Sequence, residues 1–256
     1  MPRPVKNTSM LKNAPYEGRD LETLSILSNY RDWIITPFRP YLHGATTEIG
    51  AGLGTFSQAI IDEVETLELV EPSPELVPQL TEKFSKTPGV TVIGKTLEDH
   101  LADMAVESRD CIIMVNVLEH IMDDTQVLKD QFRMLKPGGR LLIFVPALPW
   151  LFSKMDAEHG HYRRYYKSGL VDLVRMANFK IISARYFDIL GIIPWWLICK
   201  VGRRTTFSPF LSGVYDKLFV PVGRVLESVL APPLGKNILL IAEKAEDSDS
   251  SARCPS

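Results

Sequence analysis

Three groups of residues in this chain of 256 have the types and spacing to do chemistry. The first is a glycine turn at positions 46–57, TTEIGAGLGTFS, in which Gly50, Gly52 and Gly54 alternate with other residues and Glu48 stands two positions ahead. Glycine is needed where the backbone takes positive φ or where a ligand must lie against bare backbone. The helix start that follows would offer free N–H groups to an electron-rich part of that ligand. The second is Glu71, which ends an apolar run about twenty residues past the glycines, where a carboxylate can accept both hydroxyls of a ribose. The third is the aromatic and basic loop 146–166. A neutral imidazole suits removal of a hydroxyl proton near pH 7, so His161 or His159 is the expected base, with His120 behind them. Tyr162 or Asp156 would orient an acceptor, and Arg163 and Arg164 would receive a phosphate or carboxylate on it.

The spacing narrows the ligand. A dinucleotide fingerprint, G-x-G-x-x-G, requires glycine where this chain has Thr55, which disfavours an NAD-dependent oxidoreductase. A pyrophosphate would be repelled by Glu48, whereas a cationic ligand such as S-adenosylmethionine (SAM) tolerates it. The turn resembles the first motif of class I SAM-dependent methyltransferases. The likeness extends to NVLEHI at 116–121, after the apolar run 110–115, and to LKPGG at 135–139, before the apolar run 140–145. It covers roughly residues 45–187 and 236–242.

That resemblance implies one-carbon transfer from SAM. It places the cofactor on Glu48, Gly50, Ala51, Gly52, Gly54, Glu71 and Pro72. Leu97 and Glu98 would grip the adenine, with Asp99 as a rival and helix capping as the plain alternative. Asn116 and Val117 would line the methionine end. Some relatives bind a metal through a glutamate and a histidine after the fourth strand. Glu119 and His120, with His159 or His161, would make such a site, but Asn116 stands where an extra acid would be wanted, and no metal is expected.

The elements that must hold these residues follow from periodicity. Strands are expected at 66–70, 90–93, 110–115, 140–145, 180–187 and 236–242, with another leading into Ile49. Helices are expected at 18–35, 56–64, after an N-cap at Ser73, at 123–135 and at 168–176. The fold class is α/β, a doubly wound, mostly parallel seven-stranded sheet with helices on both faces. Gly138 and Gly139 would form a helix C-cap. The helix at 18–35 reads as a lid or as core packing. Residues 188–235, apolar with basic punctuation, are inserted before the last strand as a cap over a greasy substrate site, an interfacial helix pair touching lipid, or a dimer contact. Residues 1–17 read as a disordered arm, 18–243 as the methyltransferase domain and 244–256 as a disordered tail.

Composition bounds the rest. Hydrophobic residues make up 45% of the chain and the net charge is −2, so a full core is expected and no basic field points to nucleic acid. Cys111, Cys199 and Cys254 form neither a disulfide framework nor a zinc pattern, which suits a reducing compartment. Positions 189–201 are too short and interrupted to span a bilayer. The N-terminal residues lack the apolar core of a signal peptide. A cytoplasmic enzyme is expected, with contact to a membrane surface through 188–235. Its acceptor would be small or lipid-like and methylated at oxygen. A catalytically silent scaffold on the same fold is the alternative from another class, and the oligomeric state is left open.

Overall fold

The computed structural model describes residues 27–206 and 208–245, and of Glu98 the backbone alone. The expected arm at 1–17, most of the tail at 246–256, and Leu21, Leu24 and Ile26 of the first expected helix lie outside the described residues. Seven strands form one sheet: β1 Ala45–Ile49, β2 Thr66–Val70, β3 Val90–Ile93, β4 Arg109–Val115, β5 Leu135–Pro146, β6 Lys180–Phe187 and β7 Asn237–Glu243. Their spatial order is β3-β2-β1-β4-β5-β7-β6. The pairs from β3 across to β5 are parallel, while β7 runs antiparallel to both β5 and β6. Cys111 to Met114 and Leu141 to Val145 are fully buried. Such near-continuous apolar runs are what strands covered on both faces require, and two apolar clusters fill the two sides of the sheet. The chain reverses direction across the sheet between β1 and β4, which opens a crevice at their carboxyl ends.

The helices depart from expectation in instructive ways. The segment after the glycine turn is helical only over α2 (Ser57–Ile60), then tightens into a 3₁₀ turn at Ile61–Glu63. The helix expected from Ser73 is regular only from Leu76, as α3 (Leu76–Phe84): the Ser73 carbonyl accepts from the Leu76 and Val77 amides, but Pro78 has no N–H to give the Pro74 carbonyl the next bond. Thr96 caps α4 (Leu97–Asp103), its Oγ1 accepting from the Asp99 amide at 3.1 Å. Asp123 caps α5 (Asp124–Met134) in the same way through the Gln126 amide. Positions 136–139 are not a helix C-cap but an excursion within β5: Arg109 pairs with Leu135 and Cys111 with Arg140. Gly138 has φ +79°, and a Cβ on Gly139 would stand 2.8 Å from the Lys136 carbonyl. The tail also starts later than expected, since Lys244 still bonds to the sheet through the Gly139 and Leu135 carbonyls.

Two short helices, α6 (Lys154–Glu158) and α7 (Lys167–Met176), follow β5. The segment between β6 and β7 is helical: α8 (Ile192–Trp195), a π-helical stretch Trp196–Val201, α9 (Pro209–Val214), a second π-helical stretch Tyr215–Phe219, and α10 (Val220–Val229). It packs on α1 (Ser28–Ile35). Gly223 lets the two helices approach, for a Cβ there would stand 3.1 Å from the Trp33 ring. Asp216, nearly buried, accepts from the Asn29 and Tyr30 amides at 3.2 and 2.9 Å. It therefore caps α1 from a distant part of the chain, satisfying two of the amides a helix start leaves unpaired.

Candidate active site

A cavity of about 1750 Å³ opens at the carboxyl ends of the central strands. That exceeds the usual span of small-molecule sites, roughly 300–1,000 Å³, and leaves room for two ligands side by side. Gly50, Ala51, Gly52, Glu71, Pro72, Leu97, Asn116 and Val117 all line it. Gly50 and Gly52 have φ of +73° and +55°, and the Gly50 and Ala51 amides are tied back to the Val70 carbonyl. The Glu71 carboxylate is braced by the Gly52 amide at 2.8 Å and the Ser73 amide at 2.9 Å. Burial raises its pKa, and those two hydrogen bonds work against the rise. Asn116 sits in the left-handed region at φ +54°, which asparagine tolerates better than most residues.

Two residues expected in the cofactor site lie elsewhere. Glu48 is buried behind the turn, outside the cavity lining, where its Oε2 accepts from Ser57 Oγ at 2.5 Å. Burial pushes its pKa up to about 8, so at neutral pH it is largely an uncharged carboxyl and repels nothing. Gly54 is a packing glycine, since a Cβ there would stand 2.5 Å from Phe84 and 2.8 Å from Leu80. Glu98 sits in α4, its side chain outside the description.

The histidines converge on the same cavity. His120, His159, His161 and Tyr162 line it, and the His120 and His161 rings meet edge to face at 4.5 Å. His161 Nδ1 lies 3.1 Å from Asp156 Oδ1 and its Nε2 is 4.0 Å from Glu119 Oε1. Burial opposes the charge on Asp156, but hydrogen bonds from His161 and Ser153 and the Arg164 guanidinium hold its pKa down at about 2. An ionised Asp156 accepts the proton of Nδ1, which leaves the lone pair of His161 on Nε2. Asp156 thus positions His161 and is not among the residues that line the cavity. Glu119 is fully buried, neither carboxylate oxygen has a hydrogen-bond partner among the described residues, and burial raises its pKa to about 7. Donor atoms of Glu119, His120 and His161 lie within 4.8 Å of one another, so these three could hold a divalent ion. His159 is not part of that group.

Neither arginine of the loop is available to a substrate anion. Arg164 is buried, donates from Nε to Asp156 at 2.8 Å, and lies 4.4 Å over the Trp195 ring. Arg163 is bound to Asp124 at 2.6 Å and to the Met122 carbonyl. On the far side from the glycine turn the cavity is walled by Leu27, Tyr30, Trp195, Ile198, Val214 and Tyr215. Lys236 is the cation on that wall. It pairs with Asp188 at 2.8 Å and lies over the rings of Tyr30, Trp195 and Tyr215.

Residues 47–143 match the family model of the methyltransferase domain. The crystal structure of a SAM-dependent methyltransferase from Archaeoglobus fulgidus shares the fold with a TM-score of 0.56 at 16% identity, over 86% of this chain and 94% of that one. Residues 47–143 are thus a methyltransferase domain, and the fold is that of SAM-dependent methyltransferases. An uncharacterized methyltransferase of Mycobacterium bovis is 29% identical over 168 residues, which are 61% of this chain and 63% of that protein. The chain thus spans less than two-thirds of that relative's length. The ubiquinone biosynthesis O-methyltransferase of Pseudomonas fluorescens is 31% identical over 120 residues, 44% of this chain and 50% of that protein.

Several residues that shape the methyltransferase crevice carry no motif. Lys83, on α3, donates to the Leu53 and Gly54 carbonyls at 2.9 and 2.8 Å and so clamps the glycine turn from outside. Its only trace in sequence is a helical position one turn from the buried Leu80. Tyr30, Trp195 and Lys236 belong to three separate stretches, and no spacing rule links them.

Proposed function

We propose that this chain binds SAM between the glycine turn and Glu71 and transfers its methyl group to a hydroxyl oxygen of an apolar, lipid-like acceptor. The observation that carries this reading is that His161, oriented by Asp156, lies on the wall of the same cavity that holds the glycine turn at one end and an aromatic, aliphatic chamber at the other. Glu71 has acceptor capacity left for ribose hydroxyls after its two backbone bonds, and Leu97 offers an apolar surface to adenine. The bound SAM supplies an activated methyl group. The protein then has to align the acceptor, exclude water and take up the proton. Alignment contributes on the order of 7–11 kcal/mol and a base about 10²–10⁴-fold. As the O–CH₃ bond forms and the S–CH₃ bond breaks, the hydroxyl proton passes to Nε2 of His161, and S-adenosylhomocysteine leaves with the methyl ether.

Residues 188–235 serve in this reading as the cap of a single domain that begins near residue 18. Tyr30 from α1 and Leu27 just before it close the same chamber as Trp195 and Tyr215 from the cap, which supports a lid role for α1. Cys111 and Cys199 are buried free thiols, which supports a reducing, cytoplasmic setting. The relative named as a ubiquinone O-methyltransferase supports oxygen as the acceptor atom. The test is release of S-adenosylhomocysteine when hydrophobic phenols, lipid alcohols, sugars and amines are offered. Turnover confined to hydrophobic hydroxyl compounds is expected. Tight SAM binding with no turnover on any of them would favour the silent scaffold.

A further inference from the structure

The capping segment sorts its charges by side. Between 189 and 235 the acidic residues are Asp216 and Glu227, and both are buried. The basic residues of the same stretch, Lys200, Arg203, Arg204, Lys217 and Arg224, are all exposed. Lys200 and Arg224 reach the Phe152 carbonyl and Thr36 Oγ1, but those partners are neutral. On a chain of net charge −2, every exposed formal charge that this stretch itself contributes is therefore positive, and the exposed acid Glu158 borders it at Thr205.

The outer side of the same stretch is also apolar, with Arg224 at its flank, where it reaches Thr36 of α1. Along α10 the inward positions are Val220, Gly223 and Glu227. The outward ones include Val222, Val225, Leu226 and Val229, at i, i+3, i+4 and i+7, with Val225 67% and Val229 79% exposed. Such a stripe on a helix of a water-facing surface is the reverse of the ordinary pattern. Phe210, 76% exposed, and Leu218 continue it. An exposed apolar stripe of this kind suits lying on a bilayer, its valines in the acyl boundary and the cations at its flanks reaching anionic headgroups; no helix of the described residues is long and apolar enough to cross a membrane. Leu211 and Phe219 follow the exposed Phe210 and Leu218 in the chain, are themselves exposed and also line the cavity, so the rim of the chamber adjoins the apolar stripe.

We propose that the outer face of residues 193–230 docks on the surface of an anionic lipid bilayer, and that the acceptor enters the chamber from that surface past Leu211 and Phe219. The entry route rests on the lipid-like acceptor proposed above; the docking stands on the exposed side chains alone.

The experiment is co-sedimentation of the full chain with phosphatidylcholine–phosphatidylserine vesicles and with vesicles of phosphatidylcholine only. Binding to the anionic vesicles is expected to be about tenfold stronger and to weaken with salt. A Val225→Asp/Val229→Asp variant and a Lys217→Glu/Arg224→Glu variant should each lose about tenfold in vesicle binding. Their circular dichroism and their SAM affinity by calorimetry should be unchanged. Absence of sedimentation, or equal binding to both vesicles, overturns the proposal. So does a concentration-dependent dimer that Val225→Asp disperses, which would assign the face to a second copy of the chain. Vesicle binding without SAM binding would instead remove the methyl-transfer reading and leave the docking in place.

Discussion

His161 is held by one nitrogen and offers the other. With Nδ1 bonded to an ionised Asp156, the side chain is set to accept a proton at Nε2. His161→Ala is expected to slow turnover of a hydroxyl acceptor by about 10²–10⁴-fold and to leave SAM affinity unchanged by calorimetry. An unaltered rate would remove His161 as the base. Chelation should not change the rate; a loss restored by added divalent ion would assign Glu119, His120 and His161 as metal ligands instead. Glu48 makes a different prediction. Its folded pKa of about 8 exceeds the ordinary value of 4.5, so the native state holds the proton more tightly than the unfolded chain. Its contribution to stability is complete below about pH 4.5 and is lost as pH rises toward 8, at roughly 1.4 kcal/mol per pH unit. Glu48→Gln should therefore flatten part of the decline in urea midpoint between pH 5 and 8. Because the side chain lies behind the turn, SAM affinity should hardly move. Its type and place in the motif were readable from the sequence, but not the face of β1 it takes. Nor could the sequence show that Arg163 and Arg164 were already bound to Asp124 and Asp156 through the fold.

The strands were legible because burial on both faces leaves an apolar run that few other elements produce. Helix starts were less so. Ser73 was expected to cap α3, and its carbonyl does accept from the Val77 amide, yet the regular helix begins only at Leu76, because Pro78 leaves the Pro74 carbonyl without its bond. The cap of α1 was beyond any local rule, since Asp216 lies 187 positions from Asn29. Removing that cap has a defined cost. Asp216→Ala should destabilise the fold by about 1–2 kcal/mol, seen as a fall in Tm of about 2–8 °C. Hydrogen exchange at the Asn29 and Tyr30 amides should quicken. An unchanged Tm with unchanged exchange would mean that α1 is held by its apolar face alone.

At the scale of the molecule, the crevice belongs to the folded state only, so a ligand that fills it must raise the melting temperature. SAM at about a hundred times its Kd should add about 2.7 kcal/mol, or roughly 5–10 °C for a chain of this size. NAD should add nothing measurable, and the reverse order would contradict the cofactor assignment. One further consequence comes from the antiparallel pair at the edge of the sheet. Phe187 and Asn237 are register partners, and Gly235 passes so close that a Cβ would meet the Phe187 backbone at 2.5 Å. The long helical excursion thus departs from the sheet and rejoins it at one point, as the loop of a hairpin does. Its length and sequence can change without shifting any strand, and closing a longer loop costs little, about 0.6 kcal/mol per doubling. The stretch that walls part of the cavity is in effect a detachable module, and on the reading proposed above, grafting it onto another such sheet should carry acceptor preference along while the donor half stays as it was.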